Sequence, residues 1–148
     1  MLWASFGKLR IVEDRHGGKR EVGEWALHVQ ESPWRIVRDK ALFIGSTDMH
    51  RDRDTGDWLD DEPAIGGCRF DMLSDMLNLN LASTVHIVET ITCDGLGGFN
   101  LTLNDGTQID AFTSSSFEVP DCEFWRLFVP NSEADHFVVE THSTISDN

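Results

Sequence analysis

The chain has no tyrosine, four prolines and three cysteines in 148 residues. The missing tyrosine argues against an antibody-like paratope, where that side chain supplies rigid contact area. Cys68, Cys93 and Cys122 are odd in number and widely spaced. Such spacing fits reduced thiols in a cytosolic compartment rather than a disulfide framework. No apolar run approaches the about 18 residues of a membrane span. The start, Met1–Arg10, lacks a basic stretch followed by an apolar core, so no secretory signal is expected. The expected location is therefore the cytoplasm, without a membrane partner.

Positive charge is the scarcest resource. Residues 54–148 hold only Arg69 and Arg126 against eighteen acidic residues, a balance of −16. Residues 1–53 carry ten Lys or Arg and eight Asp or Glu, a balance of +2, and the whole chain carries −14. A domain this acidic cannot neutralise phosphates, which excludes nucleic acid as a partner. It attracts a basic surface and speeds encounter with it. The same carboxylates also serve solubility, so charge alone does not decide between these uses.

What is present in quantity is the pattern of a small α+β domain. At 40% hydrophobic residues, the chain can build one core, and 1–148 reads as a single domain. The organising stretch is Cys122–Glu140. Two apolar runs flank Pro130-Asn-Ser-Glu-Ala-Asp135, the signature of a hairpin, and bulky residues on both faces of 124–129 suggest the central pair of an antiparallel sheet. Earlier, Trp3–Val12 reads as one strand closed by a glycine turn at 13–18. Trp25, Leu27 and Val29 alternate as in a half-buried strand. Trp34–Val37 and Ala41–Ile44 flank Arg38-Asp-Lys40 as a second hairpin. Later, Thr84–Cys93, Phe99–Leu103 and Gln108–Phe112 read as strands, the last two joined by the turn Asn104-Asp-Gly-Thr107. The tail 141–148 is expected to fray.

One helix is expected. Phe70, Leu73, Met76 and Leu77 repeat at helical spacing over about 69–81, with Asp71 and Asp75 one turn apart on the polar face. The fold class is therefore α+β, mostly antiparallel sheet with this helix packed on it.

Between the second hairpin and the helix, residues 45–67 are rich in Gly, Asp and Pro and read as a long surface loop, of the kind that often carries function. Its Asp48-Met-His-Arg-Asp-Arg-Asp-Thr-Gly-Asp57 resembles a calcium loop at first sight. From Asp48 the sixth position is Arg53 and the twelfth Leu59; from Asp52 the twelfth is Pro63. Neither frame supplies the glycine and the final carboxylate that such a loop needs. The reading is a solvated loop with Asx turns, no metal and no cofactor. Trp58 sits in this loop beside Asp57, Asp60, Asp61 and Glu62. An aromatic anchor ringed by carboxylates suits docking onto a basic groove; alternatively the ring folds back and pins the loop. The other four tryptophans, on strands, are expected in the core.

No catalytic motif stands out. The six histidines lack zinc spacing. Ser114–Ser116 has no nucleophile-elbow frame. Gly95-Leu-Gly-Gly98 precedes a strand, not a helix, and so makes no phosphate cradle. The candidate catalytic set is empty.

Glu24-Trp-Ala-Leu-His-Val-Gln30, Pro33-Trp-Arg-Ile-Val37, Ile44-Gly-Ser-Thr-Asp48 and Glu123-Phe-Trp-Arg-Leu-Phe128 resemble segments of small bacterial proteins. Some of these are similar to immunity proteins of polymorphic or contact-dependent toxin systems. That resemblance implies a cytosolic protein that blocks a cognate toxin domain, often a basic nuclease, and transfers no binding residues. Joined to the charge pattern, it gives the expected function: an inhibitor that occludes a basic partner through Asp54, Asp57, Trp58, Asp60, Asp61, Glu62, Asp71 and Asp75. The alternative is a small enzyme or ligand-binding domain with a pocket built on His28, His86 or Arg126.

Overall fold

The computed structural model describes residues 1–13, 17–61, 63–115 and 122–141. The fold is α+β: antiparallel sheets and a single α-helix among the described residues. The chain divides into two compact units, Met1–Ser32 with Thr113–Asn148, and Pro33–Phe112.

In the first unit, β1 (Leu2–Phe6), β4 (Trp25–Val29), β10 (Glu123–Phe128) and β11 (Phe137–Glu140) form a four-stranded sheet in the order β1-β4-β10-β11. β2 (Arg10–Glu13) and β3 (Lys19–Val22) form a separate hairpin. The expected single strand over Trp3–Val12 is broken. Gly7, at φ 77°, turns the chain between β1 and β2, a left-handed conformation that glycine adopts without steric cost. Residues 14–16 of the expected turn lie outside the described residues, as does the tail 142–148.

The hairpin near the end of the chain forms, but it is not the central pair of the sheet. β10 lies between β4 and β11, whereas β11 is an edge. Their register, Trp125↔Val139 and Leu127↔Phe137, accounts for the apolar run on each strand. On β4, Ala26, Leu27 and Val29 are buried while Trp25 is exposed, so the alternation written in the sequence is overridden by cover on both faces.

The second unit carries a five-stranded sheet in the order β6-β5-β9-β8-β7. Its strands are β5 (Trp34–Arg38), β6 (Ala41–Gly45), β7 (Val88–Cys93), β8 (Phe99–Leu103) and β9 (Gln108–Ala111). The β5–β6 turn places Asp39 and Lys40 at φ 52° and 62°. Positive φ at both central residues is the hairpin geometry whose twist matches the strands. Cross-strand pairs Ile36↔Ile44, Ile36↔Ile109 and Leu101↔Ile109 line up along one face, and all four residues are buried.

The helix α1 runs Arg69–Leu81, as the spacing predicts. It buries Leu73 and Leu77, and Phe70 meets Trp34 edge-on at 5.5 Å between ring centroids. Met76, although on the apolar stripe, is exposed. No helix among the described residues is long and apolar enough to cross a membrane.

Candidate functional site

The segment from β6 to α1 is less irregular than its composition suggests. It opens with a 3₁₀ turn, Ser46–His50, closed by the Gly45 N–H donating to the Asp48 carboxylate at 2.8 Å. The next residues form isolated antiparallel bridges, Arg51↔Trp58 and Asp52↔Cys68. Backbone bonds reinforce them: Asp52 N–H to Asp57 O at 2.8 Å, Leu59 N–H to His50 O at 2.9 Å, and Arg69 N–H to Arg51 O at 2.9 Å. The last of these ties the loop to the first turn of α1.

Inside this ladder Asp52 makes an Asx turn. Its Oδ1 accepts from Thr55 N–H at 2.8 Å and Asp54 N–H at 3.0 Å. Those two backbone donors, Thr55 first, hold the Asp52 carboxyl below its ordinary value. The carboxylate is thus occupied by the turn itself, the role expected of an Asp in a solvated loop. Among the described residues no group of three or more His, Cys, Asp or Glu is placed to hold a metal ion.

The loop's arginines bond its own backbone. Arg51 Nη1 donates to Gly56 O and Arg53 Nη1 donates to Gly66 O, both at 2.9 Å. The Arg51 guanidinium also lies over the Trp58 ring, 4.6 Å from its centroid, and His50 stacks against the same ring at 6.4 Å. Trp58 therefore pins the loop, yet 60% of it stays exposed. The ring is held against the loop without being enclosed.

The candidate partner-binding residues divide accordingly. Asp54, Asp57, Asp60 and Asp61 are exposed, with Trp58 among them. Asp75 is exposed on α1, one turn beyond Asp71. Asp71 is half-buried and caps the helix: its Oδ2 accepts from the Cys68 N–H at 3.3 Å and the Cys68 thiol at 3.0 Å. Burial first, and then this bond, raises the Cys68 thiol above its ordinary value. Asp71 also places negative charge where the helix dipole favours it. Glu62 lies outside the described residues.

The residues named for a pocket separate. Arg126 and His28 are direct cross-strand neighbours in the first unit, and His28 also pairs with Trp3, their rings 5.3 Å apart. Burial, opposed in part by Glu123 and aided by Arg126, lowers the His28 imidazole, whose Nε2 is buried without a hydrogen-bond partner among the described residues. Arg126 is paired with Glu123. His86 belongs to the second unit, where Nε2 lies 2.9 Å from Thr84 Oγ1 and Nδ1 lies 3.4 Å from Asp105.

One polar cluster escaped the sequence reading. On β9, Asp110 is 6% exposed and accepts from Arg35 Nε at 2.6 Å and from the Asn100 amide. Arg35 in turn lies over Phe112, 5.1 Å from its centroid. Asp110 follows Ile109 in a short apolar run, and only the register Arg35↔Asp110↔Asn100 reveals its partners. Beside it, Thr92, Cys93, Asn100 and Phe112 help line an open depression of about 200 Å³. Asp94, on its rim, is committed to the turn, accepting from the Leu96 and Gly98 N–H groups at 2.8 Å each.

Compared with known protein families, curated proteins and solved structures, the chain matches none.

Proposed function

We propose that this chain is a protein-binding inhibitor of the immunity type, which neutralises a basic partner such as a toxin nuclease by covering it with the loop between β6 and α1. The observation that carries the reading is the sorting of charge in that loop. Arg51 and Arg53 bond backbone carbonyls, while Asp54, Asp57, Asp60 and Asp61 face solvent around an exposed Trp58. A basic groove built for substrate phosphates is complementary to such a surface. Carboxylates steer the encounter, toward roughly 10⁸–10⁹ per molar per second at low salt. Trp58 then supplies the apolar anchor at the centre. The bridges Arg51↔Trp58 and Asp52↔Cys68 hold the loop before binding, which lowers the ordering cost of association. Asp75 extends the acidic surface along α1; Asp71 contributes chiefly by fixing the helix start.

The test uses a partner captured from the host lysate with the tagged protein and then purified. Association is measured across a salt series for the wild-type chain and for Asp57→Lys/Asp60→Lys/Asp61→Lys. The triple variant is expected to associate about tenfold or more slowly at low salt, with a flatter salt dependence. Unchanged rates and salt slope would remove this surface from the interface.

A further inference from the structure

Among the described residues, β7 is an edge of the second unit's sheet with no strand paired on its outer side. β7 is the last strand of the order β6-β5-β9-β8-β7, and five of its six residues are exposed. Ile91 on it is 60% exposed, and Ile87 just before it and Leu96 just beyond it are 59% and 80% exposed. Natural edges are guarded by lysine, proline or a bulge. Here a bulge falls between Val88 and Thr90, but Thr90-Ile-Thr-Cys93 carries no guard.

The direction of the open backbone groups follows from the ladder. The Asp94 N–H donates to Gly98 O at 3.0 Å, so residue 94 faces β8. Facing alternates along an antiparallel strand. Thr92 and Thr90 therefore bond β8, and the N–H and C=O of Ile91 and Cys93 point away from the sheet.

We infer that β7 pairs antiparallel with β7 of a second copy of this chain, about a two-fold axis at Ile91, joining two five-stranded sheets into one. The occupant is argued from self-complementarity. Thr90-Ile91-Thr92 reads the same in both directions, and its centre is a residue whose backbone faces out. Pairing there sets Ile91 against Ile91 and Thr90 against Thr92 of the second copy, cross-strand pairs of a stabilising kind. Glu89 falls opposite Cys93 and Asp94 opposite Val88, so no acid opposes an acid in this register. The pairing is isologous and closes on itself as a dimer. A short edge contact buries less than a standard interface and gives a weak dimer. Because each copy carries −14, association strengthens with salt, the opposite of the acidic loop's binding to a basic partner. The two proposals stand or fall separately.

The experiment is sedimentation of the whole chain at low and high salt, up to about 100 µM, where a weak homodimer becomes populated. The expected result is a shift from the 16.7 kDa monomer toward twice that mass, favoured by salt. Ile91→Lys sets like charges face to face and abolishes the shift, while its far-ultraviolet dichroism stays that of the wild type. Glu89→Cys, opposite Cys93, gives under mild oxidation a covalent dimer that the wild-type chain does not form. A wild-type chain that stays monomeric at every salt concentration overturns the inference. So does a dimer that Ile91→Lys leaves intact, or an oxidised Glu89→Cys chain without the cross-link.

Discussion

Single side chains carry the clearest departures from what composition suggests. The four strand tryptophans are expected in the core, yet only Trp34 is fully enclosed, at 3% exposure; Trp3 and Trp25 are exposed and Trp125 is half-buried. A ring on a strand is buried only if something covers its face, and the string of letters does not say which faces are covered. His28 is a sharper case. Burial depresses its imidazole from 6.5, and Nε2 finds no partner among the described residues, so folding favours the neutral ring. The sign follows from linkage: a depressed folded value gives stability that is complete above 6.5 and is lost as pH falls through the folded value. Denaturant midpoints measured downward from neutral pH should therefore decline for the wild type before the carboxylates begin to titrate. His28→Gln should flatten that upper part of the profile. Equal slopes in the two proteins would show that His28 is solvated in both states.

At the scale of elements, legibility tracked locality. The helix Arg69–Leu81 was readable because its apolar spacing lies within one stretch of chain. The hairpin turns at Asp39-Lys40 and Asp105-Gly106 were readable because turn chemistry is local. The break at Gly7 was missed because one glycine inside an apolar run is a weak signal. The order of strands and the edge position of β11 depend on pairings about a hundred residues apart, such as β4 with β10. The acidic loop was legible as a loop but not as a ladder, since the bridges Arg51↔Trp58 and Asp52↔Cys68 leave no periodic trace. The bonding of Arg51 and Arg53 to loop carbonyls was likewise invisible, although their charge was written in the sequence. The β5–β6 turn also offers a test. Lys40, a residue with a Cβ, sits at φ 62°, where a left-handed conformation costs an L-residue about 1–2 kcal/mol. Lys40→Gly removes that strain and should raise the unfolding free energy by about 1 kcal/mol in chemical denaturation. A loss instead would mean that the lysine side chain makes a stabilising contact outweighing the strain.

Across the whole molecule there are 26 acidic residues and 12 basic ones; among the described residues Arg35 pairs with Asp110 and Arg126 with Glu123. Acidic residues outnumber basic ones by fourteen, and a net charge far from zero destabilises the compact state through self-repulsion. The loop concentrates this cost: Asp48, Asp52, Asp54, Asp57, Asp60, Asp61 and Glu62 stand in it against Arg51 and Arg53. Salt screens such repulsion over about 10 Å at 0.1 M, so the melting temperature should rise as sodium chloride is added. The variant Asp57→Asn/Asp60→Asn/Asp61→Asn should melt higher than the wild type at low salt and respond less to added salt. Residues that stabilise a protein when removed, yet are needed for its binding, mark a surface held for function at the expense of stability. The same variant should therefore bind the captured basic partner more slowly while being the more stable protein. A variant that melts lower, with its salt response unchanged, would mean that these three carboxylates hold the loop together, and the charge-sorting argument would fail with them.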